Sequence, residues 1–301
     1  MKDSIAAVVV TFNRLALLQE CVSGLRNQRK KPDAIIIVDN GSTDGTSKWL
    51  DEQNDLHVIH QENSGSAGGF YSGMEEAFYL DFEWIWVMDD DVEPLENALE
   101  DLLEYSNISK CIHGSRIDSA GRIYKNERFL DFRSAFCYGS EGHSNLEFKE
   151  YFFANVACFE GMLIHREIVA KIGLPDRRFF INGDDTLYGF LASQYTSVMC
   201  INRIILKRKI IKVYPKTFWG GSLDVSPANS YFYYRNRFLT KKLLKETGYY
   251  KVEKFNRDYI YRISKDIMKS LLALKLKYVR SLVLATFDGI KNHFGATSYK
   301  F

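Results

Sequence analysis

What this chain lacks narrows its class first. Five cysteines occur in 301 residues (Cys21, Cys111, Cys137, Cys158 and Cys200), and no two stand in a CxxC spacing. An odd, scattered set argues against a disulfide framework and a cysteine-built zinc site, and it fits reduced thiols in a cytosolic protein. No run approaches the roughly 20 apolar residues that cross a bilayer. The opening "MKDSIAAVVVTFNR" is too short in apolar length, and lacks the cleavage flank, for a signal peptide. Internal repeats and clear linkers are also missing. A net charge of only +2 gives no reason to expect a nucleic-acid partner.

What is present reads as globular: 46% hydrophobic and 14% aromatic residues. Charge is unevenly spread. From Arg235 onward 16 Lys+Arg stand against 5 Asp+Glu, a net +11, and the preceding residues carry 24 against 33, a net −9. Such asymmetry points to an anionic surface or ligand at the C-terminal part, or to an ordinary solvated helical face. "IAAVVVTF" (5–12) and "DAIIIVDN" (33–40) are short, continuously apolar and rich in β-branched residues, as buried strands are. "LALLQECVSGLRNQ" (15–28) places apolar residues at helical spacing. A helix is expected from Thr46, a strand at "LHVIH" (56–60), a Gly/Ser-rich loop at "ENSGSAGGF", a helix through "YSGMEEAFYL" and a strand at "EWIWVM". Strands alternating with helices predict an α/β fold with a mainly parallel sheet covered on both faces. Helices are also expected at 165–173, capped by Gly173, at 184–194, and through most of the chain after Pro227, where Ile260, Ile263, Ile267, Leu271 and Leu274 form one apolar stripe.

The stretch "WIWVMDDDVEP" (84–94) raises a question of charge: a strand-like segment ends on three aspartates that repel one another. In an open parallel sheet, ligands bind beyond the carboxyl ends of the strands. The polar residues at those ends are Thr11 and Asn13, then Asp39, then the glycine segment, then Asp89 to Asp91, so strand geometry sets them along one edge. Oxygen donors without nearby histidine or cysteine suit Mg²⁺ or Mn²⁺, which bridges a diphosphate. The competing reading is that the aspartates cap a following helix.

"VVVTFNR", "IIIVDNGSTDGT", "ENSGSAGGF" and "WVMDDDVEP", in this order, resemble the nucleotide-sugar half of inverting family 2 glycosyltransferases of the GT-A fold. "FEGMLIHREIVAKIGLPDRRFFINGDDTLYGF" (159–190) is similar to that family's acceptor and catalytic-base segment, and "NSGSAGGF" most resembles bacterial galactofuranosyltransferases and related rhamnosyltransferases. The resemblance implies that Thr11, Asn13, Arg14 and Asp39 hold the nucleoside, that Ser66, Gly68 and Gly69 let backbone approach the donor, and that Asp90 faces the ribose. It implies further that Asp89 and Asp91 bind Mn²⁺ or Mg²⁺ as the outer members of a DxD motif. Asp185 would be the general base, with Asp184 beside it, and Gly161, Asn182 and Trp219 would line the acceptor or sugar pocket.

Several positions depart from the family pattern. A histidine that often follows the base as a further metal ligand is missing: no histidine lies between His165 and His293, and "KTFWGG" puts Gly220 after Trp219. Leu187 and Leu191 replace an acidic residue and an arginine of the base helix, and Ser72 stands where galactofuranosyltransferases carry an arginine for the diphosphate. "YFYYRNR" (231–237) resembles the start of the family's C-terminal helices, where Tyr234, Arg235 and Asn236 would face the active site or be a buried helix start. The expected layout is a GT-A domain over 1–225, made of a donor half (1–95) and an acceptor half (96–225), with a basic helical extension over 226–301. The expected partners are a UDP- or dTDP-sugar, a glycan built on polyprenyl diphosphate, and an anionic membrane met by the C-terminal helices. The expected location is the cytoplasm, at the inner face of the plasma membrane. Two rival classes are a catalytically silent nucleotide-sugar binder and a nucleotidyl- or phosphotransferase. The latter needs a basic glycine loop near the first strand, which "TFNRLALL" does not offer.

Overall fold

The computed structural model describes residues 4–123, 128–139, 150–210, 226–248 and 253–301. The chain divides into two units: Met1–Phe129 with Gly139–Arg177 and Asp185–Ile211, and Leu130–Tyr138 with Arg178–Asp184 and Lys212–Phe301.

The first unit is built on a mixed sheet whose β-branched runs become its central strands. These are β1 (Ile5–Thr11), β2 (Ala34–Asp39), β3 (His57–His60) and β4 (Trp84–Asp89), all mutually parallel in the order β3-β2-β1-β4. The register sets Thr11 opposite Asp39 and Val10 opposite Asp89, so the polar strand ends do lie side by side. Beyond β4 the sheet continues through β10 (Met162–His165), antiparallel to both β4 and β6 (Cys111–Ile117), and then β11 (Val198–Arg208), β5 (Val92–Pro94) and β9 (Tyr151–Ala154). A separate two-stranded sheet pairs β7 (Arg128–Asp131) with β8 (Phe136–Gly139).

Alternation along each strand feeds two cores, because successive side chains point to opposite faces. Ile5, Ala7, Val9, Trp84, Trp86 and Met88 meet α1 (Leu15–Arg26) and α4 (Ala98–Leu103) on one face. Ala6, Val8, Val10, Ile85 and Val87 meet α3 (Gly65–Tyr79), α5 (Arg166–Ile172) and the buried Tyr188 on the other. The sheet is thus covered on both sides, and Trp84 and Trp86 share one core, as their spacing predicts. A short helix α2 (Thr46–Asp51) follows β2, and α6 (Asp184–Ala192) follows the turn at Phe179.

Two local expectations need correction. The Gly/Ser-rich segment is not a loop: α3 begins at Gly65, so Gly68 and Gly69 lie in its first turns. The reason is helix-on-sheet packing, since a Cβ on Gly69 would come 2.4 Å from Val10 and one on Gly73 2.4 Å from Val8. The aspartates after β4 do not cap a helix either. They lead directly into β5, and the next helix waits until Ala98.

In the second unit the chain after Pro227 forms α7 (Pro227–Glu246), α8 (Phe255–Leu272) and α9 (Leu276–Lys291). Aromatic rings bind them: Phe238 meets Tyr259 at 4.7 Å, and Phe136 stacks on Phe255 at 6.3 Å. The proposed apolar stripe of α8 is not a core stripe. Ile263 is buried, but Ile260, Leu271 and Leu274 are 62, 48 and 84% exposed, because the inward face is set by Phe255, Tyr259, Ile263 and Ser270.

Candidate active site

At the tip of β1, Thr11 donates its hydroxyl to Asp90 Oδ2 at 2.7 Å, and one nitrogen of Arg14 reaches Asp90 Oδ1 at 2.9 Å and Asp91 Oδ2 at 3.2 Å. Asn13 takes a left-handed backbone (φ 52°) and accepts from Thr43 N at 2.6 Å. This ties the β1 tip to the "NGSTDGT" turn.

Asp39, 1% exposed, accepts from Ser42 N at 3.0 Å, from the Ser47 hydroxyl, and from His60 Nδ1 at 3.1 Å. Burial alone would weaken its acidity. Ser47, Ser42 and His60 outweigh that and hold the carboxyl below its ordinary range. His60 therefore buttresses a candidate site residue, although as a histidine at a strand end it gave no sign of that role. Asn40, next to Asp39, anchors the start of α3 by donating to Gly65 O at 2.9 Å and accepting from Ser64 N at 3.1 Å.

Asp89 is the unsettled member of the acidic tip. Burial, then Asp91, Glu160 and Asp90, push its carboxyl well above the usual range, and Arg14 opposes this only in part. Asp90 is also raised by burial, against the pull of Arg14 and Thr11. Two carboxyls beside a spare lone-pair set suit a hard, oxygen-seeking cation, and cationic charge beside Asp89 is electrostatically favoured there. Among the described residues no group of three or more His, Cys, Asp or Glu is arranged to chelate a metal alone.

Glu160 and its surroundings were not legible in the sequence. Its two oxygens take Arg116 at 3.1 Å and Arg208 at 3.0 Å, and all three side chains are at least 87% buried. The partners lie 44 and 48 residues from Glu160, so no local period reveals them. Gly161 follows with φ 94° and donates to Val87 O at 2.8 Å, which pins this segment to β4. The Cys158 thiol is pushed up by burial and by Glu160 and Asp185, with Arg116 opposing, so Asp185 stands within electrostatic reach of the same segment. Asp185 bonds its own helix start, accepting from Thr186 N at 2.6 Å. Ser66 is half-buried in the first turn of α3.

In the second unit, the turn before the aspartate pair is held from below. Asn236, fully buried, donates from one amide nitrogen to the carbonyls of Phe179, Ile181 and Asn182 at 2.9, 2.8 and 2.8 Å. Arg235 adds bonds to Phe179 O at 3.0 Å and to Gly295 O at 2.6 Å. The turn is left-handed at Phe180, Asn182 and Gly183, with φ of 64, 71 and 94°. Arg235 and Asn236 therefore face the backbone of this turn, and Asp184 at its end is 7% exposed. Trp219 lies outside the described residues. A surface hollow lined by Phe78, Asp81, Glu83 and His165 sits at the opposite end of β4 from Asp89.

The profile of glycosyl transferase family 2 matches residues 6–173, more than half of the chain. The chain belongs to glycosyl transferase family 2. Relatives include the galactofuranosyltransferase GlfT1 of Mycolicibacterium smegmatis, 29% identical over 199 residues, 61% of this chain and 63% of that protein. GlfT1 of Mycobacterium tuberculosis is 31% identical over 195 residues, 62% of this chain and 63% of its own length. The matched part thus spans under two thirds of these relatives. Among solved structures, Staphylococcus aureus TarS 1–349 in complex with UDP-GlcNAc superposes with a TM-score of 0.57 at 13% identity, covering 94% of this chain and 81% of that one. GalNAc-T7 with UDP, GalNAc and Mn²⁺ gives 0.59 at 15%, covering 88% and 57%. These two likenesses establish the GT-A fold, a mostly parallel sheet flanked by helices with helices at the C-terminus.

Proposed function

We propose that this family 2 protein is an inverting glycosyltransferase that moves galactofuranose from UDP-galactofuranose to a hydroxyl of a lipid-linked or cell-surface glycan. The observation that carries the reading is the convergence of Thr11, Arg14, Asp39, Asp90 and Asp91 at adjacent strand tips. The galactofuranosyltransferase relatives support the choice of sugar. Asp39 and the Asn13 turn hold the nucleobase and Asp90 the ribose. Gly69 and Gly73 keep α3 close to the sheet, and Gly68 leaves room for Ser64, so that the N-terminal amides of α3 face the donor. Mn²⁺ or Mg²⁺ on Asp89 and Asp91 would offset charge on the departing diphosphate. Asp185 takes the acceptor hydroxyl proton as the new bond forms, the role that the family resemblance gives it. The enzyme works at the cytoplasmic face of the membrane, where a polyprenyl-diphosphate acceptor is presented.

The test offers UDP-galactofuranose and dTDP-rhamnose separately with Mn²⁺, and measures transfer and donor binding. Asp185→Asn should retain donor binding and lose about 10²- to 10⁴-fold in turnover. Transfer from dTDP-rhamnose alone moves the assignment to a rhamnosyltransferase, for which Ser72 in place of an arginine is the motive. Equal turnover by Asp185→Asn removes Asp185 as base, and donor binding without any transfer leaves a silent binder.

A further inference from the structure

The described residues expose 19 large hydrophobic side chains, and ten of them fall between Ile260 and Ile290, on α8, α9 and the turn joining them. With the half-buried Ile267 they repeat one spacing twice. Ile260, Ile267, Leu271 and Leu274 follow the spacing i, i+7, i+11, i+14, and so do Leu276, Val283, Phe287 and Ile290. At 100° per residue Ile260, Ile267 and Leu271 share one stripe of α8, with Leu274 in the turn beyond it, and the second set forms one stripe of α9 opposite the buried Leu282, Ala285 and Gly289. The joining turn is the most apolar point: Leu272, Leu274 and Leu276 are 71, 84 and 67% exposed, and Leu274 holds a left-handed backbone at φ 54°.

Charge around these stripes is one-sided. Residues 253–301 carry ten Lys+Arg and four Asp+Glu. Two of those acids are turned inward, Asp266 accepting from Tyr234 and Asp288 from Tyr231, each at 2.6 Å. A third, Asp258, is paired with Arg257 at 2.9 Å. Lys265, Lys277, Arg280 and Lys291 stay exposed beside the apolar stripes. A second copy of this surface would set like charges against each other, whereas anionic headgroups complement it. No helix among the described residues is long and apolar enough to cross a membrane, so the contact is interfacial.

We infer that α8, α9 and their leucine turn form an interfacial membrane-docking surface for bilayers with anionic headgroups, the turn entering the acyl boundary and the lysines the headgroup layer. This names the side chains behind the membrane location in the proposed function, and its purpose rests on that reading, but its physics does not. The experiment is co-sedimentation of the full chain with vesicles of phosphatidylcholine alone or mixed with phosphatidylglycerol. Binding should need phosphatidylglycerol. Leu272→Glu with Leu274→Glu should reduce partitioning by about tenfold or more, and Lys275→Glu with Lys277→Glu should remove the lipid selectivity. Leu272→Trp, made in case the charged variants fold poorly, should shift its emission to the blue on these vesicles and be quenched by brominated acyl chains. Undiminished binding by the leucine variant, or a tryptophan that stays in water, overturns the inference. A dimer that the leucine variant dissociates also overturns it, because a second copy then covers the surface. Transfer to a soluble acceptor is followed in parallel: vesicle binding without transfer faults the enzymatic reading, and transfer without vesicle binding faults this one.

Discussion

Replacing Asn236 by alanine puts a number on how firmly the turn before Asp184 and Asp185 is held. The amide is fully buried, and its nitrogen is shared by three carbonyls at 2.8 to 2.9 Å, while its oxygen accepts from Arg235 Nε and a terminal nitrogen at 3.0 and 2.9 Å. Truncation removes two N–H donors from buried carbonyls and one acceptor from a buried guanidinium. Each deprived group costs about 1–3 kcal/mol, and water entering the space returns part of it. The net loss should be about 2–5 kcal/mol, against roughly 1 kcal/mol for an ordinary substitution. The turn is also strained at Phe180 and Asn182, so once unclamped it relaxes toward ordinary backbone angles. The checks are urea unfolding followed by circular dichroism and hydrogen exchange at the amides of residues 180–184, which should quicken. Asn236→Asp keeps the acceptor for Arg235 but loses the donors, and it should resemble alanine in exchange. An alanine variant within about 0.5 kcal/mol of the parent, with unchanged exchange, would refute the clamp.

Three further outcomes follow from the same geometry. Gly69→Ala places a methyl 2.4 Å from Val10 and should cost about 1–3 kcal/mol in urea unfolding, with donor affinity falling as α3 is lifted from the sheet. Glu160→Ala takes the shared carboxylate from Arg116 and Arg208 and should destabilise by about 3–5 kcal/mol, whereas an exposed pair such as Arg29–Glu96 should cost under about 1 kcal/mol. The Asp39 carboxyl titrates below its ordinary range in the folded chain, so its ionised form favours folding at neutral pH. That contribution is complete above the unfolded value of about 3.9 and is lost as pH falls through the lower folded value. Asp39→Asn should flatten the acid limb of a stability-against-pH series, and superimposable limbs would contradict the hydrogen-bond account.

The strands were readable because a strand buried on both faces must be apolar throughout, and "IAAVVVT", "AIIIVD" and "WIWVM" carry that pattern without a partner in view. Their polar ends were readable for the same reason, since the first charged or hydroxylated residue marks where burial stops. The α3 boundary was misread because glycine signals both turns and close packing, and only Val10 and Val8 decide which. The stripe on α8 was legible as an apolar helix face, but periodicity shows only that a face is apolar and not what covers it, so the inward turn of Ile263 was not. Glu160 and the role of His60 were hidden more deeply, as were the partners of Asn236. Apart from Asp51 beside His60 and Arg235 beside Asn236, the partners are side chains or carbonyls 21 to 57 residues away, and a backbone carbonyl leaves no mark in the sequence.

The three aspartates that end β4 now separate by environment. Asp90 is committed: Thr11 and Arg14 hold both of its oxygens, so it fixes the β1 and β4 tips to each other. Asp91 shares Arg14 at the longer 3.2 Å, and its main-chain oxygen receives Lys209 N at 2.9 Å. Asp89 is buried and meets three acidic neighbours against Arg14 alone, which together push its carboxyl well above the ordinary range. One arginine therefore balances the middle carboxylate and part of an outer one. Under the proposed function, a cation between Asp89 and Asp91 would relieve the repulsion that Arg14 leaves at this tip.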